Sequence, residues 1–65
     1  MTVEYIDSKT HKPVFRDRDL KILPPVGALV RFPNDALWEV KAHVFDYHMN
    51  PELWICVIVA PHKAK

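Results

Sequence analysis

Six prolines constrain this 65-residue chain more than any other feature: Pro13, Pro24, Pro25, Pro33, Pro51 and Pro61. Each lacks a backbone N–H and fixes φ, so none fits inside a central strand or a helix interior. The segments between them are too short for long helices. They are rich in β-branched and aromatic residues, which favour strands. The chain contains no internal repeat and no low-complexity stretch. It therefore reads as a single mainly β domain over residues 1–65.

Composition narrows the classes further. The chain is 49% hydrophobic and 26% charged, which is the profile of a folded chain rather than a disordered one. A domain this small hides only roughly 60% of its extended surface, so its stability margin is narrow. A single cysteine, Cys56, excludes an internal disulfide framework. No apolar run is long enough for a transmembrane helix, and the start Met1-Thr2-Val3-Glu4-Tyr5 lacks the basic and apolar regions of a signal peptide. These features lead to an expectation of a cytoplasmic protein with no membrane association. One glycine, Gly27, leaves no material for a glycine-rich phosphate loop.

The strands can be placed by alternation. Thr2–Ile6 sets Val3 and Tyr5 on one face, and Asp7–Pro13 is a polar connection. Residues 14–23 are ambiguous. Val14 and Phe15 extend a strand, Leu20 and Ile22 alternate about Lys21, and a single helical turn over Arg16–Leu20 is also admissible. In 26–32, Val26, Ala28, Val30 and Phe32 share a face, and Pro33-Asn34-Asp35 is turn chemistry. In 37–44, Trp38, Val40, Ala42 and Val44 point inward. Met49-Asn50-Pro51 makes the next turn, and 53–60 is apolar on both faces, as a strand covered on both sides would be.

A straight strand from Leu37 to His48 would run ~40 Å, whereas a round chain of this size is under ~30 Å across. The strand must bend or end early. Alternation also slips at Val44-Phe45, which locates a bulge there. Bent strands in a chain of about five suggest a small barrel or a strongly bent antiparallel sheet. The stretch Leu23-Pro24-Pro25-Val26-Gly27-Ala28-Leu29-Val30-Arg31-Phe32, then Leu37-Trp38-Glu39-Val40 and Trp54-Ile55-Cys56-Val57-Ile58-Val59, resembles small SH3-like β-barrels, including small proteins of phages and mobile elements. The resemblance spans residues 23–60 and rests on hydrophobic pattern. It implies a barrel that binds peptides, proteins or nucleic acids, and fold alone does not choose among them.

Chemistry-bearing residues point away from an enzyme. His43, Asp46 and His48 form the densest cluster, but no spacing matches a metal-ligand pair, so these histidines read as solvated or turn-flanking. No metal or other cofactor is expected. Cys56 lies within Trp54-Ile55-Cys56-Val57-Ile58, where burial raises a thiol's pKa and keeps it inert. Ser8 near His11 reads as a turn, and Asp17 and Asp19 alternate with Arg16 and Arg18 as a solvated face. No catalytic residue is assigned.

What remains is binding. The formal net charge is +1, with the signs interspersed along the chain, which does not supply the basic excess that phosphate binding uses. A nucleic-acid-binding alternative would rest on Arg31 and Lys41 beside aromatics, by base stacking. One small barrel has one interior, so an apolar excess around the last strand must stay outside. Phe45, Tyr47 and Trp54 are accordingly the expected partner-binding residues. The expected function is a small non-enzymatic protein-binding module whose partner is a host complex or a second copy of itself. The mobile-element resemblance implies an inhibitor of a host defence complex. A structural accessory subunit or homo-oligomer is a further alternative.

Overall fold

In the computed structural model, residues 2–47 and 54–62 are described, apart from the side chain of Trp54. Five strands form one sheet: β1 (Val3–Asp7), β2 (Pro13–Asp17), β3 (Leu29–Arg31), β4 (Leu37–Asp46) and β5 (Trp54–Pro61). Their order is β2-β1-β5-β4-β3, and the sheet curls into a half-barrel. No helix occurs among the described residues, so the turn considered over Arg16–Leu20 does not form. Strands β3, β4 and β5 are consecutive and antiparallel, as expected. The sheet as a whole is mixed, because β1 runs parallel to β5, with Tyr5 opposite Val57. The β1–β2 hairpin thus lies beside the β3–β4–β5 meander, and residues 18–28 cross from one to the other.

Local chemistry fixes each turn. At the β1–β2 connection the Asp7 carbonyl accepts from the His11 N–H at 2.9 Å, and His11 takes a left-handed φ of 63°. In the β3–β4 hairpin, Asp35 N–H donates to Phe32 O at 2.8 Å across Pro33 and Asn34, and Asp35 itself has φ 70°. That is a type I turn followed by a left-handed residue, a common short hairpin loop. Before β3, Ala28 N–H donates to Pro25 O at 3.0 Å, with Gly27 at φ 96°. A positive φ at the third residue alone makes this a type II turn, the position where glycine carries no penalty. The turn consumes Val26, which is 60% exposed, so the strand expected over 26–32 narrows to β3. Similarly, Ile22 is 82% exposed and belongs to no strand.

The core lies on the concave face. Val3, Tyr5, Val40, Ile55, Val57, Val59 and Phe32 are buried, with Val14, Leu20, Leu23, Val30 and Trp38 packed against them. Alternate residues of β1 and β5 share this face because side chains alternate along a strand and paired positions lie side by side. Full burial of a valine is worth roughly 1.5 kcal/mol or more, and among the described residues four of the seven buried ones are valines with no exposed surface. Trp38 and Val30, expected to be buried, are half-buried and pack against the core. The Trp38 indole nitrogen is buried without a hydrogen-bond partner.

The end strands β2 and β3 are not neighbours in the sheet. Side chains close the gap instead. Phe32, just past β3, lies 5.4 Å from Phe15 of β2, 4.9 Å from Tyr5 and 6.3 Å from Trp38, ring centre to ring centre.

Strand β4 does carry an irregularity, but at Lys41 rather than at Val44-Phe45. Val40 pairs with Val59 and Ala42 with Ile58, leaving Lys41 as the extra residue. A one-residue insertion exchanges the faces of everything beyond it. His43 and Phe45 therefore pair with the inward-facing Val57 and Ile55, while Ala42 and Val44, expected inside, move to the outer face. The longest dimension is 42 Å, and β4 carries this bulge and ends at Asp46, before His48.

Candidate protein-interaction surface

Besides Ile22 and Val26 of the crossing loop, two apolar regions stand uncovered among the described residues. The first is the far end of β4. Phe45 falls on the concave side but beyond the part the crossing loop covers, and it is 50% exposed; Tyr47, past the strand end, is 77% exposed. His43 ties the loop to β4 two residues before Phe45. The His43 ring Nε2 lies 2.7 Å from the Pro24 carbonyl oxygen. A carbonyl only accepts, so Nε2 carries the proton. His43 is thus a half-buried structural donor, not the solvated residue its sequence context suggests. Trp54 pairs with Asp46 through the backbone, and the expectation for its side chain lies outside the described residues.

The second region is the outer face of the sheet, where the sequence led one face of 53–60 to be expected outside the barrel. Cys56 pairs with Glu4 and Val44, and Ile58 pairs with Ile6 and Ala42. One alternation further, Ala60 pairs with Glu39, which in turn pairs with Leu29. Ile6, Ala42, Cys56, Ile58 and Ala60 are half-buried, and Val44 and Leu29 are exposed. Strand β5 is therefore covered on its inner face only, which corrects the expectation of cover on both. The signal was present in the doubly apolar run 53–60, but the residues joining it from β4 were hidden by the phase change at Lys41.

The charged groups near these regions are mostly paired. Arg16 meets Glu4 at 2.8 Å, Arg31 meets Asp35 at 2.8 Å, and Lys41 meets Glu39 at 3.4 Å. Arg31 pairs with Leu37, four residues before Lys41 on β4, which separates the two cations by about 13 Å along the strand. They do not form one basic cluster. At Cys56, burial above all, and then the Glu4 and Asp46 carboxylates, push the thiol pKa up, which keeps it protonated and weakly nucleophilic at neutral pH. Among the described residues, no three His, Cys, Asp or Glu side chains come together as a metal site. Among the described residues, no helix is long and apolar enough to cross a membrane.

Comparison with family models, with curated proteins and with solved structures finds no match to this chain.

Proposed function

We propose that the protein is a small, non-enzymatic protein-binding module that engages its partner through the end of β4. The observation that carries this reading is the exposure of Phe45 and Tyr47 beside a loop whose edge is held by His43. Aromatic side chains have few rotatable bonds and lose little entropy on docking, and protein interfaces concentrate their energy in such anchors. Trp54, on the neighbouring strand, is the third expected contact. The resemblance of residues 23–60 to small proteins of phages and mobile elements makes an inhibitor of a host defence complex the concrete form of this reading, acting in the cytoplasm.

Affinity capture with the wild-type chain and with Tyr47→Ala, followed by mass spectrometry, tests it. A protein retained by the wild type and lost by a folded Tyr47→Ala variant supports the reading. Equal capture by both removes it. The nucleic-acid alternative would rest on Arg31 and Lys41, and a carboxylate already neutralises each of them. Fluorescence anisotropy with DNA and RNA at two salt concentrations separates it, since phosphate binding weakens steeply with salt.

A further inference from the structure

Strand β4 has an open backbone edge beside the aromatics at its end. Strand β3 pairs with β4 only from Leu37 to Glu39, and the chain before β3 reaches one residue further. There Val40 N–H donates to Ala28 O at 2.9 Å, and Val40 O accepts from Gly27 N–H at 2.8 Å. Beyond Val40, the ladder to β5 fixes where each backbone group points. Ile55 N–H donates to Thr2 O and Ser8 N–H donates to Val59 O, so alternate residues Ile55, Val57 and Val59 turn towards β1. Cys56 and Ile58 then turn towards β4 and bond to Val44 and Ala42, which leaves His43 and Phe45 facing the other side. Among the described residues, no backbone group meets the N–H or C=O of either residue there. We propose that in the free protein a second copy covers this edge, β4 against β4, antiparallel about a two-fold axis through Val44. The proposal rests on the reading of the β4 end as a protein-binding site and names its occupant; a different protein at Phe45 and Tyr47 has to displace the second copy.

A row of strand N–H and C=O groups is complementary to another strand, and this row fits its own copy. The open stretch runs from Ala42 to the strand end at Asp46, and its middle is Val44. A two-fold there lays the whole stretch on itself. His43 of each copy exchanges both bonds with Phe45 of the other, and Val44 meets Val44 as the intervening pair, where side chains approach most closely. The exposed Val44 and Phe45 are thereby covered. Asp46 falls opposite Ala42, so no like charges oppose each other. Tyr47, next after Asp46, reaches the end of the edge that Gly27 of the other copy closes, beside the exposed Val26. By contrast, the edge strand β2 carries Pro13, Arg16 and Asp17, a proline and charges of the kind that discourage strand addition. Ala42-His43-Val44-Phe45 has no proline, lysine, arginine or carboxylate.

Static light scattering over a range of protein concentrations tests this. The wild-type mass is expected to rise from 7.6 kDa towards twice that value. A synthetic chain N-methylated at Phe45 keeps every side chain and loses only the outward N–H, and it should stay monomeric. Val44→Lys and Val44→Glu each set like charges opposite each other at the axis and should associate at least several-fold more weakly than wild type. Mixed in equal amounts, they pair opposite charges and should associate again. A wild-type chain that is monomeric up to millimolar concentration overturns the proposal, while the capture experiment still decides the binding reading on its own. A folded N-methylated chain that associates like wild type removes the edge pairing, and a mixture no more associated than either Val44 variant removes the axis. Circular dichroism checks the fold of each chain. If the N-methylated chain unfolds, exchange of the wild-type Phe45 N–H at low and high protein concentration replaces it: slowing at high concentration supports the pairing, and equal rates overturn it.

Discussion

Phe15 and Phe32 meet with ring centres 5.4 Å apart across the gap between β2 and β3, two strands that are not neighbours in the sheet. The contact closes by side-chain packing what a complete barrel closes with backbone hydrogen bonds. Leaving the backbone edges open lets β3 stay only three residues long, and short edge strands resist pairing with other chains.

The closure is measurable as a coupling energy. Aromatic pairs contribute about 0.5–1.5 kcal/mol beyond the area they bury. A double-mutant cycle of Phe15→Leu and Phe32→Leu, followed by urea unfolding, should give a coupling in that range. Phe32→Leu should be the costlier single change, because Phe32 also touches Tyr5 and Trp38 while Phe15 is 37% exposed. Additive single effects would mean that the two rings do not hold the seam.

The crossing loop depends on His43. His43→Ala leaves the Pro24 carbonyl without its donor, a loss of about 1–2 kcal/mol for a part-buried group. Hydrogen exchange should quicken at Gly27, whose N–H donates to Val40 O, more than at Val57 in the core. Uniform quickening across the sheet would contradict a local anchor.

Much of this architecture was legible in the sequence, and particular residues explain where legibility ended. The alternation of Val3 and Tyr5 located β1 and its buried face, and Pro33-Asn34-Asp35 located the hairpin. The parallel pairing of β1 with β5 was not legible, because contacts between distant segments leave no local pattern. The bulge was anticipated on β4 but misplaced. Two adjacent apolar residues at Val44-Phe45 looked like the slip, whereas the register shifts at the charged Lys41, whose exposed side chain leaves no hydrophobic trace. That displacement decided the site as well. It brings Phe45 to the concave side and Val44 to the outer one, the reverse of simple alternation from Trp38.

Gly27 is held by backbone conformation alone. A Cβ there would meet nothing within 4 Å, so Gly27→Ala is penalised only by its φ of 96°. The expected loss is about 1 kcal/mol. A D-alanine at the same position, introduced by chemical synthesis, favours positive φ and should restore or exceed wild-type stability. Equal losses from both replacements would point to steric crowding instead.

Alkaline pH should destabilise the fold. Burial, followed by the Asp17 carboxylate, raises the Tyr5 phenol above its ordinary 10.0, and the Cys56 thiol is raised above 9.0. The unfolded chain therefore loses these protons first, and it binds fewer protons than the folded chain within that window. Stability is fully present below about pH 9 and declines as pH rises through and beyond the ordinary values. Urea midpoints measured across this range should fall, and Tyr5→Phe should flatten the decline to the share owed to Cys56. An unchanged slope in Tyr5→Phe would assign the effect elsewhere.

The central claim is that binding runs through exposed aromatics at the end of β4 and not through positive charge. Once capture has identified a partner, titration calorimetry with the purified pair measures this most directly. Tyr47→Ala or Phe45→Ala should weaken affinity by about 1–3 kcal/mol, roughly 5- to 150-fold, whereas Arg31→Ala and Lys41→Ala should each change it by less than about 0.5 kcal/mol. Full affinity in both aromatic variants, with collapse in the Arg31 and Lys41 variants, would contradict the account.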